Sequence, residues 1–431
     1  MRLSSYRQIL PAVVASLVSG AACATPSTTM DQVAERYVRL VLQVGQHDAD
    51  YVDAFYGDPA WRPTGEPAPL ETLVTEQVAL AAEPVLRHAG GEPLVELRRA
   101  YLRTQLASVG ARLAMLGGTR LTFDEEARAL YDTEPPTKTA AEFQAILDEL
   151  ERLLPGPGSL IDRYTAFRNG FVIAADRLDA VFKAAIDGCR EKTAAHLAMP
   201  EGESFTVEYV TGKTWSGYNW YQGGFKSLIQ VNTDLPITID RAIDLACHEG
   251  YPGHHVYNML LEQHLVRDRG WVEFSVYPLF SPQSLIAEGT ANFGIDVAFP
   301  GAARTMFERD VLYPLAGLDP AMAERYSDVQ SAVERLSYAG NEAARRYLNG
   351  EIDRGAAEAY LVRYALMPAD RAAQRVRFMD QYRSYVINYN VGQDLVRAYV
   401  ERNGGTADNT EARWRIFGDL LSSPRLPSGL Q

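Results

Sequence analysis

Residues 239–255 read IDRAIDLACHEGYPGHH. Ile239, Ile243 and Ala246 or Cys247 recur at helical spacing, and Asp240 stands where a cap is expected. The pattern predicts a helix, buried along one face, that ends at His248–Glu249. Pro252 then lacks a backbone donor, and Gly253 tolerates dihedrals that other residues avoid. His254 and His255 follow at once. Three of the seven histidines in the chain therefore crowd into one short block.

A histidine–glutamate pair followed by further histidines is the chemistry of a metal site. In the zinc-peptidase motif H-E-x-x-H, two histidines one turn apart share a helix face, and the glutamate is general base on the zinc-bound water. This chain departs from that motif. Position 252 is proline, and the next histidines lie at i+6 and i+7. On a straight helix His248 and His254 would stand about 9 Å apart along the axis and about 120° apart around it. Bonds of about 2.1 Å to one zinc could not reach both. The helix must be distorted between them, and Pro252–Gly253 is where it can be. His254, directly after Gly253, is the preferred second ligand and His255 the alternative. The histidine left over would hydrogen-bond substrate or the residues that support the ligands.

The third ligand is expected from SLIAEGTAN (284–292), a largely apolar segment behind Pro282 and Ser284 that reads as the start of a buried helix. A buried carboxylate needs a partner or a metal, which singles out Glu288. Asn292, one turn later, and Asp244, one turn before His248, are candidates to fix the ring of a ligand histidine. The competing reading is a satisfied polar network at a buried turn, with Cys247 a small core residue.

Outward from this block the chain reads as mainly α. Apolar residues recur at helical spacing over 30–45, 94–116, 140–154, 174–197 and 321–348, separated by breaks such as Pro135-Pro136. Residues 205–234, rich in β-branched and aromatic side chains with glycines at turn spacing, predict two or three antiparallel strands beside the site helix. A helical region over 25–200 precedes a metal-site region over 201–431, or the two form one continuous two-lobed unit. The tail from Ser422 is expected to fray.

The 431 residues carry a formal net charge of −13, which excludes a nucleic-acid partner. Arg2 and Arg7, the apolar run 9–18 and Ala22-Cys23-Ala24 read as a signal peptide over 1–24, so a periplasmic or secreted location is expected, with lipidation of Cys23 as the alternative. No later run is apolar over about 20 residues, so no transmembrane helix is predicted. Export would permit a Cys189–Cys247 disulfide, which their spacing alone does not establish.

The blocks HEGYPGHH (248–255), Glu288-Gly289 with Ala291, YVDAFYGDPAW (51–61) and WSGYNWYQGG (215–224) resemble the DUF885 family of bacterial proteins, placed among gluzincin-like zinc metallopeptidases. The resemblance covers most of the mature chain. It implies a helical metallopeptidase-like fold with Zn2+ held by His248, His254 and Glu288, and with Glu249 as base. The family's C-terminal Tyr–Gly pattern looks like Tyr389 with Gly392, which makes Tyr389 an oxyanion candidate; Tyr385 lies one turn earlier.

The expected function is therefore zinc-dependent hydrolysis of peptide bonds. Tyr389 or His255 would steady the oxyanion, and Trp220, Tyr221 and Asn232 would form a wall against a peptide substrate. The alternatives are a non-catalytic, metal-stabilised envelope binding protein and a metal-dependent amidase acting on cell-wall peptides. Arg371, Arg375 and Arg377 are available to hold a substrate carboxylate, but sequence leaves endo- and exopeptidase action open.

Overall fold

A computed structural model describes residues 28–88, 90–213 and 215–431. The signal peptide and Cys23 lie outside them. Helix accounts for 64% of the described residues and their strands fall into two small sheets, so the fold is mainly α. Helices form where expected, at Met30–Val44, Pro93–Leu116, Ala140–Leu153 and Leu178–Ala194. Thr29 with Gln32, and Thr139 with Glu142, close capping boxes that satisfy backbone donors at two of these starts. The predicted helix over 321–348 is two helices, Ala323–Glu334 and Tyr338–Leu348.

Strands β1 (Val52–Phe55), β2 (Ser204–Val210), β3 (Gly217–Gly223), β4 (Lys226–Asn232) and β5 (Val276–Pro278) correct the expected sheet in two ways. β3 and β4 form the anticipated antiparallel hairpin, but β2 pairs with β4 in parallel, giving the order β2-β4-β3. A second sheet pairs β1 with β5, some 220 residues apart. A short strand whose partner is that distant carries no local pairing signal.

Three apolar cores each draw on both sides of residue 200. One joins Val33–Tyr131 to Val276–Val391, one joins Ala54–Cys189 to the C-terminal helices, and a smaller one joins Phe143–Tyr164 to Val329–Leu366. The tail is not frayed. Leu430 is buried, Ser428 Oγ and its amide donate to Asp132, and Arg402 donates to the carbonyls of Leu430 and Gln431. Among the described residues no helix is long and apolar enough to cross a membrane.

Candidate metal centre

The helix Ile239–Leu245 starts behind Thr238, so Asp240 lies inside its first turn and is not the cap. Asp240 instead accepts from Tyr326 Oη at 2.7 Å and Gln330 Nε2 at 3.0 Å. The helix widens into a π-helical turn, Ala246–Gly250, a form common at functional sites. After a cis Tyr251–Pro252 bond a new helix, His254–Leu261, begins. Gly253 donates to Cys247 O at 2.9 Å across the break. A Cβ at residue 253 would lie 1.8 Å from His248 O and 2.4 Å from Cys247 O, so only glycine fits. The break is held from behind by a disulfide between Cys247 and Cys189 of the helix Leu178–Ala194. Cys247 is therefore not a free core thiol.

This distortion brings His248 and His254 together, with Nε2 atoms 3.1 Å apart and rings nearly perpendicular. Glu288, buried in the helix Pro282–Ala298, completes the group. Its Oε2 lies 3.3 Å from His248 Nε2 and 3.7 Å from His254 Nε2. The three donor atoms lie within 4.8 Å of one another. Zinc bonds of about 2.0–2.1 Å in tetrahedral geometry place ligand atoms about 3.3 Å apart, so the donor spacing fits that ion.

Two of the three candidate ligands are held in a bonding orientation by neighbours. Asn292 Nδ2 donates to Tyr389 O at 2.9 Å, so its Oδ1 must face His248 Nδ1, also at 2.9 Å. His248 then carries its proton on Nδ1 and offers a lone pair at Nε2. Glu288 Oε1 accepts from Tyr385 Oη at 2.7 Å, while Oε2 is buried with no hydrogen-bond partner. Burial alone would raise the Glu288 carboxyl; the His248 and His254 rings beside it outweigh that and hold it well below the carboxylate range. Burial disfavours a charged His254, but Glu288 outweighs that and raises it. The cluster thus favours a positive charge at its centre.

Tyr385, Tyr389 and Asn292 reach the site because two helices cross at glycines. A Cβ at Gly289 would meet Gly392 backbone at 2.4 Å, and one at Gly392 would meet Leu285 O at 2.6 Å. The Tyr–Gly and Glu–Gly patterns are thus two sides of one contact between Pro282–Ala298 and Ile387–Arg402.

Glu249 points beside the trio into a cavity of about 1100 Å³ that also reaches His248, His254, Glu288 and Tyr389. Its carboxyl accepts no hydrogen bond among the described residues; Asn219 instead holds its carbonyl at 2.7 Å. Burial raises the carboxyl, with His248 and His254 opposing and Glu288 adding to the rise. A Cβ at Gly217 would stand 2.9 Å from Glu249 Oε1, so glycine leaves room for the carboxylate. Asp53, on β1, lines the same cavity and accepts from Tyr218 Oη. Burial pushes it up to about 6 despite that bond.

Several expected roles are not met. His255 turns away from the trio, bonding Ser227 Oγ at 2.9 Å and Glu203 Oε2 at 3.2 Å, which leaves it no approach to an oxyanion. Asp244 orients no histidine; it pairs with Arg304 at 2.9 Å and Arg241 at 3.3 Å, and Asn292 alone takes that part. Trp220 is exposed and Tyr221 buried against Glu262; neither lines the cavity, whose β3 wall ends at Asn219. Asn232 lines the cavity, but its amide donates to the carbonyls of Lys213 and Trp215 and so shapes the turn before β3. Tyr385, one turn before Tyr389, touches a candidate ligand. Asp53 and Tyr218 lie within the quoted blocks, but only their mutual bond marks them out.

No family model and no curated protein matches the chain. Two solved structures are similar. One, from Colwellia psychrerythraea and provisionally assigned as a lipoprotein, has a TM-score of 0.49 at 15% identity, over 94% of this chain and 75% of that one. The other, a similarly assigned lipoprotein of unknown function from Shewanella oneidensis, has a TM-score of 0.42 at 13% identity, over 81% of this chain and 72% of that one.

Proposed function

We propose that the chain is an exported, zinc-dependent hydrolase of peptide bonds, related to the gluzincin-like DUF885 proteins that its motifs resemble. The observation that carries this reading is Glu288 Oε2, a buried carboxylate oxygen with no hydrogen-bond partner, facing the Nε2 atoms of His248 and His254. Leaving such an atom bare is costly unless a cation meets it. His248, His254 and Glu288 would hold the ion. Zinc, when bound, supplies a Lewis acid that polarises a carbonyl and acidifies water.

The residues of the chain then divide the work. Glu249, uncommitted and raised by burial, takes the proton of the attacking water and passes it to the leaving amine. Tyr389, whose phenol lines the cavity, donates to the developing oxyanion. β3 is an edge strand with Gly217–Asn219 on the cavity wall, a place where an extended peptide can add as a further strand. The disulfide supports export, because such bonds persist in oxidising compartments.

The test is Glu249→Gln. It should keep zinc, measured by metal analysis, and lose roughly 10²–10⁴-fold in chelator-sensitive peptide turnover. Full activity in that variant, or purified protein without metal, would end the proposal. Zinc without cleavage of either peptides or cell-wall fragments would favour a binding protein.

A further inference from the structure

Many buried and half-buried arginines among the described residues pair with carboxylates, but three that line the cavity, Arg168, Arg371 and Arg375, form no ion pair; Arg168 donates to Thr238 Oγ1 at 3.1 Å. Arg98 pairs with Glu273 at 2.6 Å, Arg304 with Asp244 and Glu308 at 2.9 Å, and Arg345 with Glu342. The helix Ala369–Tyr382 carries Arg371 and Arg375 one turn apart, both lining the cavity of the metal centre. Neither forms an ion pair among the described residues. Arg371 reaches only Gln374 Oε1, at 3.5 Å. Arg375 Nε is buried with no hydrogen-bond partner, and the guanidinium sits over the rings of Phe378 and Tyr389 at 4.8 and 5.9 Å. Burial lowers its affinity for its own proton, and no carboxylate offsets that. Arg377, the third candidate on this helix, is exposed.

A planar guanidinium is built to grip a carboxylate with two parallel hydrogen bonds, and a buried, unpaired one is costly to keep. Its position says which carboxylate. Arg375 and the trio line one cavity, and Tyr389, whose ring lies 5.9 Å from the Arg375 guanidinium, lines it as well. Its ring is 5.8 Å from that of Tyr385, which bonds Glu288. The guanidinium and the metal centre are thus linked through the contact of these two aromatic side chains. An extended peptide advances about 3.3–3.6 Å per residue, so a peptide anchored by an anion at Arg375 can run along this one cavity to the trio.

We propose that Arg375, with Arg371 as supporting charge, binds the free C-terminal carboxylate of a peptide, making this an exopeptidase site for C-terminal ends. This rests on the hydrolase reading above and deepens it.

The test uses N-acetylated tetrapeptides, randomised at every position, as free acids and as C-terminal amides. The zinc-loaded enzyme should cleave the acids about tenfold or more faster in kcat/KM than the amides. Arg375→Met should erase that preference through the acids alone, with zinc content unchanged and the unfolding temperature unchanged or higher, as expected when an uncompensated charge leaves. Arg375→Lys should restore part of it. A second arm measures retention of the same mixtures on zinc-loaded Glu249→Gln. Chelator-sensitive cleavage of acids and amides alike, or a preference that survives Arg375→Met, overturns the carboxylate anchor and leaves the hydrolase standing. Acid-selective, Arg375-dependent retention without any cleavage by the wild type overturns the hydrolase and leaves the anchor. Neither cleavage nor selective retention overturns both.

Discussion

His254 and His255 are adjacent and both buried, yet they belong to opposite kinds of site. His255 is fully committed: one ring nitrogen meets Ser227, and the other meets Glu203. Glu203 in turn accepts from Tyr251 Oη at 2.6 Å and from Arg190 at 2.6 Å. His254 faces His248 and a glutamate oxygen that has no hydrogen-bond partner. The first cluster is closed and holds the chain together. The second is open and asks for a cation. The same residue types do both, and the difference lies in whether every donor and acceptor has been answered.

The largest expected effect comes from exchanging the two histidines' fates. His254→Ala should reduce zinc affinity by more than the roughly 10–100-fold that loss of a supporting residue costs, with the fold intact by circular dichroism. His255→Ala should keep zinc in the folded fraction. Loss of zinc in His255→Ala, with His254→Ala still binding it, would reverse the assignment.

Next is the support of the open cluster. Asn292→Ala frees the His248 ring, and a titration should find zinc bound about 10–100-fold more weakly. Asp244→Ala, by contrast, should leave affinity unchanged, because Asp244 pairs with arginines and not with the ring.

The smallest effect belongs to the closed cluster. His255→Ala strips Glu203 of one donor and should destabilise the fold by about 1–3 kcal/mol in urea unfolding. Burial pushes the Glu203 carboxyl up, but hydrogen bonds from His255, Tyr251 and Arg190 outweigh it and bring it down to about 2 from an ordinary 4.5. A carboxyl lowered on folding contributes stability that is fully present above its unfolded value and lost as pH falls towards its folded one. The stability difference between wild type and Glu203→Gln should therefore shrink from pH 4.5 to pH 2. A constant difference across that window would break the description of this cluster.

Much of the open cluster was legible in sequence. The Pro252–Gly253 break follows from steric rules that act within a few residues, and a glutamate in an apolar helix announces its own need for a partner. The sheet was less legible, since pairing β2 parallel to β4 and β1 to β5 depends on contacts between distant segments. The choice of Asn292 over Asp244 escaped for a related reason. Each lies one turn from a key residue on its own helix, but only Asn292 is on a helix that faces His248.

Taken alone, the sequence determined that a helix would break after a histidine–glutamate pair and that a second buried helix would carry a carboxylate. Those facts depend on local backbone sterics and on the periodicity of apolar residues. Tertiary structure alone decided that His254 and not His255 faces Glu288, that Tyr385 reaches Glu288, and that Arg375 is left without a carboxylate. These depend on which groups meet across the fold, and that was set by the close crossing at Gly289 and Gly392, by the disulfide behind the broken helix, and by the cavity they enclose.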